Sequence, residues 1–176
     1  MDSPTLQRRL RGVFDARVFN HGDYNLVYAQ PSGGSLPHVI GYRHSPLEML
    51  LCPVDPVDAV AADLTEDAAD ALADPATDTL PGVVSVALAN VATVADTGTG
   101  YQVETVTGFR TWFEVVDHPR VPVGSASEDG TAELDQAGDA ADFHGFMTAF
   151  MDELDRLYAA PEAGGTDVTG PDLHAR

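Results

Sequence analysis

The sequence predicts a single α+β domain: an antiparallel sheet of about five strands with helices packed on it, in the order α-β-β-β-α-β-β-α. Two observations point there. Runs rich in Val, Ile, Tyr and Thr alternate with Gly-, Pro- and Asp-containing turns. Three segments, at the start, middle and end, repeat apolar residues at helical spacing. The length of 176 residues suits one domain. Its expected extent is residues 1–160, with residues 161–176 as a disordered tail by composition.

The first helix opens at Ser3, read as N-cap, with Pro4 at the next position. Leu6, Leu10, Val13 and Phe14 form its apolar stripe, and Arg8, Arg9, Arg11 and Arg17 lie off it. Those arginines read as charge pairing with an acidic body, or as docking onto an acidic partner. Asn20-His21-Gly22-Asp23 ends the helix, with Gly22 able to turn left-handed. Tyr24–Ala29 is a strand with Tyr24, Leu26 and Tyr28 on one face. Pro31–Ser35 is a loop without a phosphate-binding pattern.

Residues 36–55 are the densest apolar stretch before the last helix. Val39–Tyr42 and Leu47–Cys52 read as two strands joined at Arg43-His44-Ser45-Pro46. Ser45-Pro46-Leu47-Glu48 also fits a helical capping box, but Pro53 leaves room for two turns at most, which favours the strand. Asp55-Pro56 then starts a helix through Leu72, stopped by Pro75. Val83–Ala95 is a β-prone run with Val84, Val86, Leu88 and Val94 on one face. Asp96–Gly100 turns the chain, and Tyr101–Val116 returns as the partner strand. Its core face carries Tyr101, Val103, Phe109, Phe113 and Val115. Residues 119–138 read as a polar connector. From about Asp139, Phe143, Phe146, Met147, Phe150, Met151, Leu154, Leu157 and Tyr158 mark the strongest amphipathic helix.

There are 28 acidic residues against 9 basic ones, for a net charge of −19, and the chain has no lysine. Such a surface repels itself at low salt and is screened at molar salt, where the Debye length is about 3 Å. It resembles the surfaces of proteins from extreme halophiles. A high-GC genome would explain the missing lysine but not the excess acid. Without a basic stripe, nucleic acid is not an expected partner. No run approaches the roughly 18 apolar residues of a membrane span, and no signal core follows Met1, so the expected location is cytoplasmic. A lone cysteine, Cys52, precludes an intrachain disulfide and reads as a small buried hydrophobe.

The motifs are sparse. Asp96-Thr97-Gly98 matches the aspartic-protease triplet, but a hairpin turn needs the same residues, and the later apolar-apolar-Gly strand of those enzymes is missing. The acidic residues between Asp58 and Asp74 read as a solvated helix face, since no oxygen-ligand loop pattern accompanies them. The histidines show no metal-ligand spacing, so no metal or cofactor is expected. His144 reads as a polar contact beside the core. Arg110, Trp112 and Glu114 share one sheet face, extended by His118, and Trp and Arg are common interface anchors. A half-buried indole beside an ion pair is the simpler reading. Arg43 and His44 would abut this group if their strands were neighbours.

The element order, size and acidity resemble class I secretion chaperones and the YbjN-like domains that share their fold. The resemblance implies a small homodimer that binds extended segments of partner proteins, and it carries no site residue with it. The expected function is therefore a non-enzymatic adaptor using a sheet face or helix groove. The alternative is a small enzyme or ligand-binding domain with a pocket around Arg43, His44, Arg110, Glu114 and His118. A metal-binding domain comes third.

Overall fold

The computed structural model describes residues 1–32, 36–54, 82–123 and 130–159. The elements, in order, are α1 (Ser3–Asp15), a 3-10 turn (His21–Asp23), β1 (Asn25–Pro31), β2 (His38–His44) and β3 (Leu47–Pro53). Then come β4 (Val84–Ala87), β5 (Val91–Asp96), β6 (Tyr101–Thr105), β7 (Arg110–Glu114), β8 (Arg120–Pro122), β9 (Thr131–Glu133) and α2 (Ala137–Tyr158). Among the described residues, no helix is long and apolar enough to cross a membrane. The helix expected from Asp55, with its acidic face, and the tail at 161–176 lie outside the described residues.

Seven strands form one antiparallel sheet in the order β4-β3-β2-β1-β7-β6-β5, and β8 and β9 form a separate pair. The outermost strands, β4 and β5, are joined through Leu88–Asn90 alone. Laid flat, seven strands would hold their edges roughly 29 Å apart. A link this short reaches only roughly 14 Å. The sheet therefore curls until its edges approach, and the result is nearly a barrel. Asn90 holds the seam. Its side-chain oxygen accepts from the Ala87 N–H (2.8 Å), its amide donates to the Ser85 carbonyl (2.9 Å), and its own carbonyl accepts from the Val106 N–H (2.8 Å).

The expectation of an α+β fold with about five strands and several helices is thus corrected. Two runs read as single strands are each a pair. Val83–Ala95 breaks at Leu88–Asn90, where no glycine or proline marks the turn. Tyr101–Val116 breaks at a turn ending in Gly108, whose φ is +88°. The second break leaves the pattern intact, because Tyr101 pairs with Phe113 and Val103 with Thr111. Odd positions face inward on both strands. The connector expected at 119–138 contributes β8 and β9.

The two faces hold two cores. Inside the curl, α2 presents Ala140, Phe143, Phe146, Met147, Phe150 and Leu154 to Val27, Ile40, Tyr42, Met49, Leu51, Val103 and Phe113. Each buried Phe or Leu contributes about 1.5–3 kcal/mol. Leu157 and Tyr158, expected on the same stripe, are 57% and 73% exposed, so the burying face ends before the helix does. On the outside, α1 lays Leu6, Leu10, Val13 and Phe14 against Tyr28, Val39, Leu50 and Cys52, joined by Val121 and Leu134. Tyr24, Leu26 and Tyr28 do share this outer face, and Cys52 is fully buried.

Several local features lie a residue or two from where the sequence places them. Asp2, not Ser3, caps α1, accepting from the Thr5 N–H (3.2 Å). Ser3 Oγ is freed to accept from the Asp135 N–H (2.8 Å), tying the N-terminus to the start of α2. The left-handed residue after α1 is Asn20 (φ 56°), not Gly22. Residues 47–53 are strand, and a cis Ser45-Pro46 peptide makes the turn before them. Asp96-Thr97-Gly98 is a hairpin turn, with the Gly98 N–H donating to Asp96 Oδ1 (2.7 Å).

Candidate functional site

The residues singled out in the sequence fall in separate places. Arg43 and His44 are consecutive on β2, so their side chains leave on opposite faces. Arg43 points outward. Its guanidinium pairs with Glu48 (2.9 Å), lies 3.9 Å from Asp23, and sits 5.0 Å from the Tyr24 ring centroid. Tyr24 also donates to Glu48, and burial together with that carboxylate pushes its hydroxyl pKa up. This cluster pins the 3-10 turn to the β2–β3 hairpin. His44 faces the other way, 3.6 Å from Asp142 and edge-on to Phe146. Asp142 also accepts from the Tyr42 hydroxyl (2.8 Å).

Arg110, Trp112 and Glu114 are on β7, with β1 between it and β2. Tyr42 of β2 pairs with Asn25 at one end of β1, whereas Glu114 pairs with Gln30 at the other. That is roughly 17 Å of strand. The two groups therefore do not converge. On the outer face of β6 and β7, Arg110 forms a 2.7 Å salt bridge with Glu104 and lies 5.9 Å from the Trp112 ring. Trp112 is 38% exposed. His118 lies beyond β7, 3.8 Å from Asp135.

The structure adds a cleft that sequence patterns did not mark. It holds about 230 Å³ between α1, β1 and the start of α2, and is lined in part by Gln7, Arg11, Asn25, Leu26, Gln136 and Asp139. At its floor, the buried Gln136 makes three hydrogen bonds. Its Oε1 accepts from the Tyr28 N–H (2.8 Å), and its Nε2 donates to the carbonyls of Tyr28 (2.9 Å) and Val116 (2.8 Å). Burial and the nearby Asp142 raise the Asp139 pKa, which Arg11 partly offsets. Gln136 stood inside a stretch read as connector, and nothing local distinguishes it; only the fold brings it to β1.

The remaining polar groups serve packing. His144 Nδ1 is 2.7 Å from the Tyr101 hydroxyl, bracing α2 against β6. His38 is buried, its Nδ1 without a hydrogen-bond partner, and burial lowers its pKa to about 4. Among the described residues, no group of three His, Cys, Asp or Glu side chains is placed to hold a metal ion. Compared with protein-family models, curated proteins and solved structures, the chain matches none.

Proposed function

We propose that the protein is a non-enzymatic binding or adaptor protein that captures a segment of a protein partner. The observation that carries this reading is the half-exposed Trp112 indole, with the Arg110 guanidinium beside it, on the outer face of β6 and β7. Neither helix lies against that face among the described residues: α2 fills the inside of the curl and α1 packs over β2. A rigid aromatic ring next to a guanidinium is a common hot-spot pair at interfaces. The homodimer expected from the element order loses its basis with that order, whereas the acidic, lysine-free composition supports a salt-rich cytoplasm.

Affinity capture from the host at molar salt tests the reading. Trp112→Ala and Arg110→Ala are expected to lose the partner, and Arg110→Ala to unfold within about 1 kcal/mol of the parent, because the Arg110 side chain of the pair with Glu104 is half-exposed. Undiminished capture by both variants would refute the surface assignment. The cleft over Gln136 favours a second reading, a small-ligand-binding domain, centred away from the arginine and histidine residues that the sequence pointed to.

A further inference from the structure

We propose that the cleft beside β1 is a docking site for an extended, basic segment of a partner protein, which adds to the sheet by pairing its main chain with Leu26. The inference rests on the protein-binding reading above but places a contact well away from Trp112.

β1 is flanked by β2 and β7, yet it pairs with β7 only through Gln30 and Pro31. One step along, at Tyr28, the Gln136 carboxamide both accepts from the N–H and donates to the carbonyl. It occupies the position of a peptide group from a neighbouring strand. Leu26 comes two residues earlier, so its N–H and C=O point the same way, roughly 7 Å further on. No strand lies there among the described residues. Four consecutive residues, Asn25 to Tyr28, line the cleft. Alternating side chains cannot do that from one face, so main-chain atoms of β1 form part of the wall, beside the outer-face side chain of Val39. A recessed donor and acceptor, in register with a bound carboxamide, is the pattern met by an added strand.

Charge selects the side chains. Asp139 and Arg11 both line the cleft and Asp142 lies close to Asp139, so two carboxylates stand there against one guanidinium, and the whole chain carries −19. A Lys or Arg on the incoming segment would relieve that repulsion.

The test is NMR titration of the ¹⁵N-labelled full chain, at the lowest salt that keeps it folded. The probe is a blocked hexapeptide of alternating valine and arginine, followed by the same peptide with N-methylated amides. The Leu26 amide signal should move with the first probe, and affinity should fall at least tenfold with the second, which leaves the protein untouched. Leu26→Pro, which removes a donor outside the β1–β2 ladder, should weaken binding similarly. No binding of the first probe, an unmoved Leu26 signal, or equal affinity for both peptides would overturn the site. The adaptor reading would then stand or fall separately, on partner capture and its dependence on Trp112.

Discussion

Gln136 is a single side chain that replaces a missing stretch of strand. Its three hydrogen bonds are made by a buried amide. Gln136→Ala leaves one N–H and two carbonyls without their partner and is expected to cost about 2–4 kcal/mol in denaturant unfolding. Gln136→Glu keeps the acceptor but loses the donor, and is expected not to restore the parent stability. His38 sets a pH dependence. Its folded pKa of about 4 lies below the ordinary value of 6.5, because burial disfavours the charged ring. The unfolded chain therefore binds the proton more readily. Its contribution is fully present above about pH 6.5 and declines as pH falls toward 4, by about 3 kcal/mol at most. Carboxylate titration is common to parent and variant, so the difference from His38→Gln isolates the imidazole. Parallel stability–pH curves for the two proteins would show that this histidine is not the cause. Neither role is legible in the sequence: Gln136 sits among polar neighbours, and His38 opens a strand as many surface histidines do.

At the scale of elements, α1 reaches the sheet because β2 has no side chain at Gly41. A Cβ built there would overlap the Phe14 ring, which is fully buried. Gly41→Ala is expected to destabilise by about 1–3 kcal/mol, since a packed ring cannot move aside. Phe14→Leu in the same chain should recover part of that loss, and a double-mutant cycle measures the coupling. Additive losses would place the effect elsewhere. The helices themselves were legible. Leu6, Leu10, Val13 and Phe14, and the stripe from Phe143 to Leu154, are buried as their 3.6-residue spacing requires. The strand pairs were not. Leu88-Ala89-Asn90 holds no glycine or proline, and its one turn-favouring residue, Asn90, makes the turn by bonding back to β4. A run of small and branched residues therefore reads as one strand although it is two.

For the whole molecule, the dominant quantity is charge. With −19 on 176 residues, compaction brings carboxylates together, and salt screens them. The melting temperature is expected to rise as potassium chloride goes from about 0.1 M to about 1 M, as the Debye length shrinks from about 10 Å to about 3 Å. A flat response in calorimetry would show that the acidity is not a salt adaptation of the fold.

The sequence by itself determined most of the buried stripe of each described helix, the β2–β3 hairpin, and the common face of Arg110, Trp112 and Glu114. These follow from periods of 3.6 and 2, which are local properties of the chain. Only the tertiary structure decided that the sheet has seven strands and curls nearly into a barrel around α2. It also decided that Arg43 and His44 lie far from Trp112, and that Gln136 opens a cleft against β1. Those outcomes depend on which strand edges meet across long separations. Asn90 and Gln136 settle them through hydrogen bonds, and no pattern in the sequence announces those partners.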